Sequence, residues 1–152
     1  MDAIEVRIVR LEPMRVASAH GFGDSPEGIA ASKMLAWARP KGILDKPFRW
    51  FGFDNPAPSP GSSNYGYEVW VPVGPEVQPE GDIKVKSIPG GSYCVTHCPR
   101  LSVIGDTWQR LVIWREESGY ATAYHQCLEE LLVAPDSTED ELEFDLYLPI
   151  AE

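Results

Sequence analysis

Tyr67-Glu68-Val69-Trp70-Val71-Pro72-Val73 returns 77 positions later as Phe144-Asp145-Leu146-Tyr147-Leu148-Pro149-Ile150. Both copies run aromatic, acid, aliphatic, aromatic, aliphatic, proline, aliphatic. Side chains alternate across a strand, so Tyr67, Val69, Val71 and Val73 fall on one face and Glu68 and Trp70 on the other. Asp145 shares a face with Tyr147 in the same way. A carboxylate beside a large aromatic, opposite an aliphatic stripe, suits a ligand groove better than a surface washed by solvent.

Outward from these stretches, the same offset pairs His20 with His97, Gly28 with Gly105, Trp37 with Trp114, Gly42 with Gly119, Pro58 with Pro135 and Pro72 with Pro149, without a gap. Duplication of one supersecondary unit accounts for this. Each copy opens on an alternating run at Val6 or Ile83, turns at Glu12-Pro13 or Pro89-Gly90-Gly91, and extends again over 15–20 or 92–97. A helix follows in each. Ser25-Pro26-Glu27 and Pro40-Lys41-Gly42 bracket one over 26–39, while Ile104, Trp108, Leu111 and Val112 keep helical spacing up to a stop at Gly119. Trp37 and Trp114 are expected to seal helix to sheet. Strands are expected over 48–53 and 124–133. Residues 126–132 have helical propensity, but the repeat argues for strand. A proline-rich loop in one copy and an acidic one in the other lead to the closing strands.

The expected fold is α+β: two β-α-β-β units with pseudo-twofold symmetry, an antiparallel sheet, two helices and a central groove that Glu68 and Asp145 approach from symmetric positions. The first repeat covers about 3–74, the connector 75–81 and the second repeat 82–152, as one domain with no room for an attached DNA-binding domain.

Lys and Arg number 13 against 23 Asp and Glu, a formal charge of −10, which disfavours nucleic acid and favours neutral or cationic partners. The first residues lack the basic and apolar regions of a signal peptide, and no apolar run approaches the roughly 20 residues of a membrane span. A soluble cytoplasmic protein is the expectation. Cys94, Cys98 and Cys127 form an odd set without an export signal and read as reduced. His97 between two of them lacks the remaining ligands of a zinc site, so no metal is expected.

The opening Glu5-Val6-Arg7-Ile8-Val9, Trp50-Phe51-Gly52-Phe53-Asp54-Asn55-Pro56, Gly90-Gly91-Ser92-Tyr93-Cys94-Val95 and Asp145-Leu146-Tyr147-Leu148-Pro149-Ile150 resemble, in order and spacing, the GyrI-like small-molecule-binding family, also called the AraC effector-binding domain family. The resemblance covers nearly the whole chain and suggests a stand-alone member. It implies a duplicated fold with a concave site for bulky, often cationic or hydrophobic molecules. Relatives include effector domains of helix-turn-helix regulators, drug-sequestering and gyrase-inhibitor-like proteins, and hydrolases of cyclopropane-containing natural products. The family's pocket acid, often Glu in the last strand, falls on Asp145, one methylene shorter, and the first-half acid on Glu68. The turn after His20 departs from the family's His-Val-Gly-Pro-Tyr form, so no tyrosine role transfers there.

Three readings follow. In a binding protein, Glu68, Trp70, Tyr93, Trp108, Asp145 and Tyr147 are the candidate ligand contacts, a carboxylate attracting a cation while rings contribute cation-π energy. In an enzyme, Glu68 or Asp145 is the catalytic acid or base, with Tyr93 or Tyr147 as partner. Serine-hydrolase, phosphate-loop and His-Glu-x-x-His templates are absent, and no cofactor is expected. In an interaction protein, the acidic surface meets a basic protein partner. His20 and His97 read as structural hydrogen-bonding groups. The expected ligand is a hydrophobic or cationic small molecule, without direct DNA binding or membrane association.

Overall fold

Alternating runs become strands and amphipathic ones helices because each buries one face. The computed structural model describes residues 4–151. In chain order these form β1 (Val6–Leu11), β2 (Met14–Gly23), α1 (Pro26–Ala38), β3 (Phe51–Asp54), β4 (Tyr65–Pro72), β5 (Lys84–Ile88), β6 (Gly91–Cys98), α2 (Ile104–Ser118), β7 (Leu128–Leu131) and β8 (Phe144–Ile150). The offset of 77 carries β3 onto β7 residue for residue. The stretch with helical propensity is therefore a strand at its core, shorter than the expected 124–133. Gly119 ends α2 with φ 88, a left-handed value that glycine adopts without steric cost. Among the described residues no helix is long and apolar enough to cross a membrane.

The described residues pack as two compact units, one made of 4–13 with 89–151, the other of Met14–Ile88. The first holds antiparallel strands in the order β1-β6-β8-β7 and the second in the order β3-β4-β2-β5. Each unit thus contains the opening strand of the other repeat: β1 pairs with β6, and β5 with β2. The compact units are offset from the sequence repeats by one strand.

In the Met14–Ile88 unit the helix covers the aliphatic face. Gly21, opposite Tyr67 in the register, lies so close to α1 that an added Cβ would stand 2.5 Å from the Pro26 carbonyl oxygen and 2.9 Å from the Ala30 nitrogen. Ala30, Met34, Trp37 and Ala38 are buried on the helix. In the other unit Leu111, with Trp108, Val112 and Trp114 beside it, packs on Phe144, Leu146, Leu148, Ile150, Cys94 and Cys98. Trp37 seals its helix as expected. Trp114 is half-buried and stacks on Tyr120 with ring centroids 6.2 Å apart. The three cysteines are free, and burial pushes the Cys94 and Cys127 thiols up from their ordinary value.

Candidate functional site

Because helices take the aliphatic faces, the acids of both closing strands point to the helix-free faces, as the alternation requires. In the Met14–Ile88 unit the register places Glu68 opposite His20 and Phe53, and Trp70 opposite Ser18 and Phe51. Glu68 is 3% exposed. Its Oε2 accepts hydrogen bonds from Ser18 Oγ at 2.8 Å, Trp70 Nε1 at 2.6 Å and Lys86 Nζ at 2.6 Å. Asn55 Nδ2 donates to Oε1 at 3.0 Å. The Phe53 ring meets Trp70 edge-on at 4.6 Å.

Asn55 reaches Glu68 because its turn lies across Gly66. The Asn55 amide donates to the Gly66 carbonyl at 2.8 Å and the Gly66 amide to the Pro56 carbonyl at 2.9 Å. An added Cβ on Gly66 would stand 1.9 Å from the Asn55 carbonyl oxygen. His20 Nε2 donates to that same carbonyl at 2.6 Å, a structural contact. Burial by itself raises the Glu68 pKa, but the hydrogen bonds from Lys86, Trp70, Asn55 and Ser18 outweigh it and hold the carboxyl at about 2. Held there, Glu68 is an anion at neutral pH.

In the unit containing β8, Asp145 is opposite His97 and Glu130, and Tyr147 opposite Val95 and Leu128. Asp145 Oδ2 accepts from an Arg7 guanidinium nitrogen at 2.6 Å, and His97 Nδ1 lies 3.3 Å from Oδ1. The other ring nitrogen of His97 is 3.1 Å from Glu143 Oε2. Tyr147 donates to Glu130 Oε1 at 2.6 Å, both groups being buried. Tyr93 packs edge-on against Tyr147 at 5.4 Å and against His125 at 4.8 Å. Its hydroxyl donates to the Gln126 carbonyl at 3.0 Å. Burial, with Cys127 nearby, pushes the Tyr93 phenol up to about 12, so it stays neutral.

Five of the six sequence candidates thus lie on helix-free faces: Glu68 with Trp70 in one unit, Asp145, Tyr147 and Tyr93 in the other. Trp108 does not join them. It sits on α2 and packs on the opposite face, its indole nitrogen 3.4 Å from Glu129 Oε2. The alternation of β7 separates Glu129 from Glu130 in the same way.

Sequence reading missed Glu130, His125, Lys86 and Arg7. Glu130 had a signal: within a strand it shares the face of Leu128, and the two are 8% and 1% exposed. The acidic run Glu139-Asp140-Glu141 serves a turn, with Thr138 Oγ1 donating to Asp140 Oδ1 at 2.6 Å and the Thr138 amide to Glu141 Oε1 at 3.0 Å.

Solved structures repeat this architecture. The C-terminal domain of EcmrR superposes with a TM-score of 0.72 at 14% identity, over 98% of each chain. EcmrR in its DNA complex matches with the same TM-score of 0.72 at 13% identity over 97% of this chain, which spans 57% of that protein. A hydrolase from Listeria innocua matches at 12% identity and TM-score 0.68, over 99% of this chain and 94% of its own. SAV2435 bound to tetraphenylphosphonium matches at 12% identity and TM-score 0.56, over 97% and 94%. At these identities the likeness is one of fold. No curated protein sequence matches the chain. The family model described as the GyrI-like small molecule binding domain matches residues 4–151, so this chain belongs to the GyrI-like family of small-molecule-binding domains.

Proposed function

We propose that the chain binds a bulky, apolar cation on the helix-free face of the unit that ends in β8, with Glu130, Tyr147, Tyr93 and His125 as the recognition group. The observation that carries this reading is the buried Tyr147-Glu130 hydrogen bond of 2.6 Å beside the edge-on Tyr93 ring. A carboxylate walled by aromatic rings attracts a cation by charge, and each ring face adds about 0.5 to 2 kcal/mol. His125 comes from the irregular segment between α2 and β7, so this wall yields more readily than the strands when a ligand enters. The related fold of SAV2435, with its tetraphenylphosphonium, supports a ligand of this chemistry.

Hydrolysis by Glu68 or Asp145 has less support. Glu68 holds its charge in four hydrogen bonds, and Asp145 is engaged by Arg7 and His97. The gyrase-inhibitor-like reading would rest on the acidic run, whose side chains cap their own turn. Calorimetric titration with tetraphenylphosphonium tests the binding reading. We expect Glu130→Gln to weaken binding about tenfold, or 1.4 kcal/mol, and Tyr147→Phe by about threefold. Equal affinity in wild type and both variants would overturn the assignment, and recovery of a cyclopropane or lactone compound with one added water, by mass spectrometry after incubation with the protein, would revive the enzyme.

A further inference from the structure

The Met14–Ile88 unit holds a second acid-aromatic pair, and there a cation is already in place. We propose that Glu68, Ser18, Asn55 and Trp70 form a primary-ammonium site that the protein fills with its own Lys86, and that small alkylammonium ions bind there in competition with that side chain. The proposal is independent of the tetraphenylphosphonium reading, since it concerns another carboxylate in another unit.

The geometry is that of a bound ligand. Glu68 Oε2 collects three donors, Ser18 Oγ at 2.8 Å, Trp70 Nε1 at 2.6 Å and Lys86 Nζ at 2.6 Å. Ser18 and Trp70 are fixed by the β2-β4 register, and Asn55 by its turn over Gly66. Lys86 alone arrives on a flexible stem. The Glu68 side chain is 4% exposed and that of Lys86 39%, so the ammonium stands where the buried anion meets solvent.

A lysine head is a compact charge with three N–H donors, and methylammonium reproduces it. A quaternary ammonium or a phosphonium has no N–H to give Oε2, so the site selects by hydrogen bonding. The tether gives Lys86 a millimolar or higher effective concentration, which keeps the site closed to dilute amines. Lys86 thereby acts as a specificity residue.

The Trp70 indole N–H, observed by nitrogen-15 NMR during titration with methylammonium, reads this site directly. In Lys86→Met the signal is expected to shift at a concentration at least about tenfold lower than in wild type, to stay put with tetramethylammonium, and to lose its response in Lys86→Met/Glu68→Gln. Wild-type-like behaviour of Lys86→Met would overturn the proposal, as would a tetramethylammonium response equal to that of methylammonium. If Lys86→Met does not fold, methylammonium should refold it and leave the double variant unaffected; absence of rescue overturns the site equally. Tetraphenylphosphonium affinity of the wild type judges the earlier reading separately, because failure there leaves the methylammonium result standing.

Discussion

The closing strands β4 and β8 descend from one pattern, yet they hold their acids differently. Each acid faces a histidine across the ladder, His20 for Glu68 and His97 for Asp145. Glu68 has the extra methylene, and it receives the indole N–H of Trp70 two residues along its own strand. Asp145 is shorter, and Tyr147, in Trp70's place, gives its hydroxyl to Glu130 on β7. The repeat position of Glu130 is Phe53, an aromatic wall in the other unit. On both helix-free faces the closing-strand aromatic donates to a carboxylate, which lies on its own strand in one unit and on the neighbouring strand in the other.

The cations show a parallel. Arg7 reaches Asp145 from β1, and Lys86 reaches Glu68 from β5. Both come from the opening strand of the other repeat. Each unit is thus completed by a strand that brings the counter-ion for its acid.

Removing the deeper acid breaks the comparison hardest. Glu68→Gln leaves four donors aimed at a neutral amide, and denaturant unfolding should show a loss of about 3 kcal/mol. Gly66→Ala attacks the same site through the backbone by pushing away the Asn55 turn. We expect about 2 kcal/mol, with loss of the Asn55 contribution to the Glu68 pKa as a second readout by NMR titration. Asp145→Asn should cost only about 1 kcal/mol, because the Arg7 side chain it abandons is 53% exposed and returns to water.

The pH dependence sharpens the contrast. The Glu68 carboxyl sits at about 2 in the folded chain against an ordinary 4.5, so the unfolded state binds the proton more readily. Its stabilisation is fully present above about pH 4.5 and lost as pH falls toward 2. A stability profile over that window should flatten in Glu68→Gln, and an unchanged slope there would refute the assignment.

The sequence by itself determined the duplication, the strand and helix types, and the face on which each acid lies. Alternation is a local property, and 77 residues of offset preserve it. Even β7, whose composition favours a helix, obeyed the repeat. Trp108 exposes the limit of that reading: helical spacing shows that its face is apolar, but not that the helix packs on the opposite side from Asp145. Only the tertiary structure decided that β1 and β5 exchange places, that Lys86 meets Glu68 and Arg7 meets Asp145, and that Glu130 pairs with Tyr147. Those partners lie 18, 138 and 17 residues apart. A hydrogen bond needs register between neighbouring strands to a fraction of an ångström, and that register is set by the whole packed core rather than by either strand's own pattern.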